Sequence, residues 1–178
     1  MIRLLDIFIS LIGLIICLPI LFFLFLLGLF DTGSPLFFQK RVGLNLKCFT
    51  LIKFRTMKIG TRNAATYLIS SDNITSLGLF MRKFKIDELL QLWNVLMGHM
   101  SLVGPRPCLF NQRKLIRERK KRGVFKVRPG ITGLAQISGI DMKTPILLSK
   151  TDQKMIKKMN LYNYFYYIFK KLLKTLYK

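Results

Sequence analysis

The chain alternates long apolar stretches with basic ones, and the first apolar stretch is the longest. From Ile7 to Phe30 no residue is charged, a run of 24, more than the roughly 20 needed to span a bilayer as a helix. Its length, and the lack of a small-x-small cleavage site after it, argue against a signal peptide. Pro19 stands near the middle of the run and removes one helical hydrogen bond, which predicts a kink. Each limb is then about 12 residues, roughly 18 Å long. That is too short to span but long enough for a hairpin that returns to the face it entered. Arg3 precedes the run and Lys40 and Arg41 follow it, so both ends favour the cytoplasm. The pattern alone leaves a plain span and a re-entrant hairpin open.

Beyond the run, DTGSP (31–35) reads as a loop. LFFQKRV and CFTLIKFRT read as two short strands joined at GLNLK. Lys53 and Arg55 are two apart and so share a face; on spacing alone they are solvated edge charges. The polar stretch 60–77 reads as a flexible loop. From 86 to 97 an apolar stripe of Ile86, Leu89, Leu90, Trp93 and Leu96 predicts a helix, with Asp87, Gln91 and Asn94 on another face. GHMSLVGPRP ends it. A basic helical stretch follows at 112–122, then VRPGITGLAQISG, a loop punctuated by Pro129, Gly130, Gly133 and Gly139. A C-terminal segment from about Lys150 ends in NLYNYFYYIFKKLLKTLYK, an aromatic and Lys-rich helix suited to a membrane interface.

Charge changes the picture. The chain has 30 Lys and Arg against 8 Asp and Glu, a formal net charge of +22, with a mean hydropathy of +0.34. Such charge attracts phosphates. Combined with so much hydrocarbon it points to a membrane surface with anionic lipid, and no nucleic-acid motif is present. Cys17, Cys48 and Cys108 form no CxxC and suit a reducing compartment. A basic membrane-tethered module that binds phosphate or nucleic acid is the alternative that charge alone admits.

Asp87 and Glu88 are the only adjacent acids in the chain. A helix dipole stabilises acids in its first turn, which is explanation enough for a structural pair. Their neighbours Arg82, Lys83 and Lys85 suggest more, because nearby cations hold a carboxylate ionised. An ionised carboxylate attacks phosphorus or holds Mg²⁺ together with substrate phosphates. Arg106 lies between Pro105 and Pro107, and Arg128 precedes Pro129-Gly130. A stiff backbone presents a guanidinium for bidentate phosphate binding, although each is equally an ordinary turn with an exposed Arg.

FFQKRVG, IKFRTM, IDELLQLWNVLMGHMSLVGPRP and VRPGITGLAQISG, in this order and spacing, resemble the bacterial sugar transferase family, the monotopic phosphoglycosyl transferases, in its small form. The resemblance implies an α+β, mostly α fold. A re-entrant membrane helix broken at Pro19 would occupy 1–30, and a cytosolic, membrane-associated catalytic domain 31–178, with a small β-hairpin and amphipathic surface helices, on the cytoplasmic face of the bacterial inner membrane. It implies transfer of a sugar 1-phosphate from a UDP-sugar to undecaprenyl phosphate with release of UMP, an opening step of O-antigen, capsule or glycoprotein glycan assembly. By this resemblance Asp87 is the nucleophile that becomes covalently phosphoglycosylated in a ping-pong reaction, and Glu88 holds Mg²⁺. Lys53, Arg82, Arg106, Arg128, Gln136 and Asp152 are assigned to substrate binding. A homodimer stays open. Leu18 before Pro19, His99 in GHMS and Gly139-Ile140-Asp141 depart from the family pattern; His99 is expected to be structural.

Overall fold

A computed structural model describes residues 1–61 and 70–177. The first element, α1 (Ile2–Thr32), is a single helix, long and apolar enough to cross a membrane. Pro19 lies inside it. The expected break therefore does not end the helix, although proline has no N–H to offer the carbonyl of Ile15. Gly33, left-handed at φ 71°, donates its N–H to Leu29 and closes the C-terminus.

Both ends of α1 dock on the same folded unit. Near the start, the Arg3 guanidinium donates to the carbonyls of Val95 (2.7 Å) and Leu96 (2.9 Å). One turn on, the buried Asp6 Oδ1 accepts from Ser101 Oγ, Leu102 N and Tyr164 Oη at 3.0, 2.9 and 2.8 Å. Near the end, Leu24 packs with Phe54 and Met81, and Asp31 accepts from Thr75 Oγ1 at 2.7 Å. Between these contacts Ile15, Ile16, Leu18 and Ile20 are exposed.

The predicted hairpin is present. β1 (Leu36–Val42) pairs antiparallel with β2 (Cys48–Phe54), Phe37 opposite Lys53. Lys53 and Arg55 share a face, as alternation requires, and both lie over the Phe37 ring, at 5.4 and 5.5 Å. They are not solvated edge charges: Arg55 Nε donates to the Ser34 carbonyl at 2.7 Å, and Lys53 is half-buried. Of the polar stretch 60–77, residues 62–69 lie outside the described residues. The rest holds a short turn at Ser71–Asn73 and the start of α2 (Ser76–Phe84), whose first turn is capped by Thr75 Oγ1 accepting from Gly78 N.

The helix expected over 86–97 is divided. Lys85 adopts a left-handed conformation (φ 59°) that ends α2. A 3₁₀ turn, Ile86–Glu88, follows, and α3 covers only Gln91–Leu96. The bonds Glu88 N to Lys85 O, Leu89 N to Ile86 O, Leu92 N to Leu89 O and Trp93 N to Leu90 O all reach back three residues, the tighter winding typical of short helical pieces.

β3 (Ser101–Val103) pairs in parallel with β4 (Gly130–Thr132), and α5 (Leu134–Ile137) follows. VRPGITGLAQISG is thus a strand and a helical turn rather than a loop; three-residue strands are too short for a two-residue period to show. α4 (Arg113–Lys121) falls where the basic helical stretch was expected. α6 (Pro145–Lys157) and α7 (Leu161–Leu176) complete the chain. On α7, Tyr164 and Tyr167 enter the main core beside Phe49, Val95 and Met100, while Tyr162, Phe165, Tyr166, Phe169 and Leu172 stay exposed. This is the amphipathic helix the pattern predicts.

Asp6 is the acceptor shared by α1, β3 and α7. Asp6→Ala leaves three buried donors unmet and is expected to cost about 3 kcal/mol, whereas Tyr164→Phe removes one bond and costs about 1. Denaturant unfolding of both variants in detergent measures the difference.

Candidate active site

The left-handed Lys85 turns the chain so that Asp87 and Glu88 face inward together. Asp87 is 5% exposed, and its Oδ1 is buried with no hydrogen-bond partner among the described residues. Burial, then the neighbouring Glu88 charge, push the Asp87 carboxyl above its ordinary range; Lys53, Lys85 and Arg82 pull it down less strongly. This corrects the expectation that nearby cations dominate: desolvation is the larger effect here.

Glu88 goes the other way. Its Oε1 meets Arg106 at 3.2 Å and its Oε2 meets Lys171 at 3.8 Å. Burial raises its pKa, but Arg106, Lys171, Lys85 and Lys53 together bring it below the ordinary value. Two adjacent carboxyls whose environments push them apart are suited to different tasks. The cations feel the same confinement. Burial takes Lys53 down to about 8, opposed by the Asp87 charge and aided by Arg82 and Arg41. Arg82 is also lowered by burial, and its Nε donates to Thr56 Oγ1 at 2.8 Å.

The Pro105-Arg106-Pro107 loop is held from behind by two other arginines. Arg119 Nη1 donates to the Arg106 carbonyl at 2.7 Å, and Arg41 Nη1 to the Pro107 carbonyl at 3.0 Å. Gly104 N donates to Thr132 O and Gly130 N to Pro105 O. A Cβ on Gly104 would lie 2.6 Å from the Arg128 carbonyl oxygen, so the GPRP and RPG turns meet only because both carry glycine. With its backbone fixed, the exposed Arg106 side chain is free to reach Glu88.

Of the sequence-predicted site residues, Asp87, Glu88, Lys53, Arg82 and Arg106 come together. Three others do not join them. Asp152 is wholly buried and pairs with Arg119 (Nη2 to Oδ2, 2.8 Å). It holds the guanidinium that fixes the Arg106 backbone, and so it positions the loop. Arg128 Nε donates to the Gly98 carbonyl at 2.8 Å, just past the C-terminus of α3, where carbonyls need donors. The Gln136 amide is buried, and neither of its atoms has a hydrogen-bond partner among the described residues. His99 stacks on Phe49, ring centroids 6.0 Å apart, as befits a structural residue.

Lys171 is the site residue that sequence reasoning missed. A signal was present: it lies four residues after Tyr167 and seven after Tyr164, on the buried stripe of α7. Arg41 and Arg119 carry no such signal, since basic residues in basic runs read as solvated.

Among the described residues no group of three or more His, Cys, Asp or Glu gathers to hold a metal. Mg²⁺ needs only one or two carboxylates when substrate phosphates supply the rest. Glu88, kept anionic by its surrounding cations and adjacent to Asp87, is a carboxylate of the kind that donor set needs.

A carboxylate pair ringed by cations thus sits on a fold that also carries an apolar helix of membrane-crossing length. The family model for bacterial sugar transferases matches residues 1–178, and the chain belongs to that family. It is similar to the uncharacterized sugar transferase EpsL of Bacillus subtilis (50% identity over 60% of this chain and 53% of the relative). It is also similar to the undecaprenyl-phosphate galactose phosphotransferase of Salmonella typhimurium (34% identity over 94% of this chain and 39% of the relative). A third relative is the UDP-glucose:undecaprenyl-phosphate glucose-1-phosphate transferase of Xanthomonas campestris pv. campestris (39% identity over 71% of this chain and 27% of the relative). The chain thus spans between about a quarter and a half of the length of these relatives.

Lys53 yields a stability prediction. Its folded pKa of about 8 lies below its ordinary 10.5, so between those values the unfolded chain binds more protons and stability rises with pH. Wild type is expected to gain stability relative to Lys53→Met across that window, measured as the difference in Tm. A constant difference would contradict the burial of the ammonium.

Proposed function

We propose that the chain transfers a sugar 1-phosphate from a UDP-sugar to undecaprenyl phosphate and releases UMP, at the cytoplasmic face of the inner membrane, opening the assembly of a surface polysaccharide. The observation that carries this reading is the buried Asp87 oxygen, partnerless within a ring of cations. An oxygen that has lost water and gained no hydrogen bond is a reactive one. The names of the Salmonella and Xanthomonas relatives supply the donor and acceptor classes.

The chemistry follows from the charges. The Asp87 carboxylate attacks the sugar-bearing phosphorus; an Asp–phosphate bond forms, the bond to UMP breaks, and UMP leaves with the electron pair. An oxygen of the lipid phosphate then attacks the same phosphorus, breaking the acyl phosphate and restoring the carboxylate. Lys53, Arg82 and Arg106 neutralise the phosphate charge that would otherwise repel an anionic nucleophile. Glu88 would hold Mg²⁺, which supplies further charge neutralisation on the diphosphate. The docking of both ends of α1 on the catalytic unit favours a helix that enters and leaves by one face. That keeps the site at the lipid surface, where a soluble donor and a membrane-bound acceptor meet.

Two outcomes are expected from purified protein in nanodiscs with undecaprenyl phosphate, Mg²⁺ and a panel of UDP-sugars. UMP release falls about a thousandfold or more in Asp87→Asn, the loss typical of a missing nucleophile. Release that survives this substitution removes Asp87 from that role. The pH profile of kcat/KM, which reports the free enzyme, rises as the elevated Asp87 carboxyl ionises and falls as pH passes about 8, where Lys53 loses its charge. In Lys53→Arg the falling limb should move to higher pH, because a guanidinium stays charged there.

A further inference from the structure

We infer that the C-terminal helix α7 belongs to the active site: Lys171 is a binding residue for the diphosphate of the nucleotide donor, held on Glu88 until the donor arrives. This rests on the proposed function and extends it to a segment that the motifs of the family resemblance do not reach.

Lys171 Nζ lies 3.8 Å from Glu88 Oε2, while Arg106 Nη2 lies 3.2 Å from Glu88 Oε1. Each oxygen of one carboxylate therefore has its own cation. The Lys171 side chain is only 20% exposed, so it is enclosed in the site and is not a surface lysine that swings past. Its position is fixed by the helix. Tyr164 and Tyr167 seat the same face of α7 in the core, and Tyr164 bonds to Asp6.

The charge count asks for an anion. Lys53, Arg82, Lys85, Arg106 and Lys171 act electrostatically on the two carboxylates, leaving three positive charges in excess (five minus two). A nucleoside diphosphate group brings negative charge of that order to the place where the cations converge. Binding it gives Lys171 and Arg106 phosphate oxygens in exchange for one shared carboxylate. Glu88 is thereby released for its own role.

The test measures binding of UDP to the full-length protein in nanodiscs by calorimetry, in EDTA and again with Mg²⁺, for wild type, Lys171→Met, Lys171→Arg and Lys174→Met. Circular dichroism and thermal melting confirm that each variant is folded. Lys171→Met is expected to weaken UDP binding about tenfold or more, the loss of one charge-assisted contact. Lys171→Arg should stay within about threefold of wild type, because it keeps the charge. Lys174→Met, on the same helix but bonded only to a backbone carbonyl, should leave binding unchanged. Wild-type affinity in a folded Lys171→Met overturns the inference and leaves the transferase reading intact. An equal loss in Lys174→Met overturns it too, since the effect then comes from the seating of α7. If wild-type protein takes up no UDP with or without Mg²⁺, the donor assignment itself fails.

Discussion

Everything in this structure turns on keeping two adjacent carboxylates out of water. Burying an ion costs several kcal/mol even after the protein relaxes, and neither Asp87 nor Glu88 could bear that alone. The offset comes from five cations on separate parts of the chain: Lys53 on β2, Arg82 on α2, Lys85 at the turn, Arg106 on the Pro-flanked loop and Lys171 on α7. The hairpin, both helices and the loop must converge for the pair to exist. The compensation is unequal, and that inequality makes the site chemical. Glu88, touched on both oxygens, is stabilised as an anion, while Asp87 keeps a bare oxygen and a raised pKa.

Behind the site stands a second, wholly interior ion pair. Asp152 and Arg119 are 0% and 1% exposed. Pairs of this kind contribute little net stability, but breaking one is costly. Here the guanidinium also fixes the Arg106 carbonyl, so the pair sets the position of a side chain it never touches. Asp6 plays a comparable part at the start of α1, joining that helix to β3 and to the helix that carries Lys171. The long apolar helix and the candidate site therefore share a support.

The sequence made some of this plain and concealed the rest for physical reasons. The hairpin was legible because strand alternation and a turn at Gly43 and Asn45 are local. Asp87 and Glu88 stood out because acids are scarce in so basic a chain. The division of the 86–97 helix was hidden, since a left-handed lysine has no signature in an apolar stripe. β3 and β4 were hidden because parallel pairing is not local and each strand has three residues. Asp152 reads from the sequence as a substrate contact, because its partner Arg119 lies in a run of basic residues where nothing marks it as buried. Lys171 is 83 residues from Glu88 (171 minus 88), and only the helical stripe shared with Tyr164 and Tyr167 hinted that it points inward.

The central claim is that Asp87 itself carries the sugar phosphate. Its most direct test is the mass of the protein after mixing with Mg²⁺ and an accepted UDP-sugar in the absence of lipid phosphate. The account predicts an adduct of one sugar phosphate, localised to the peptide containing Asp87 and discharged when undecaprenyl phosphate is added. Turnover with both substrates but no adduct under any quench, or an adduct on another residue, would contradict it.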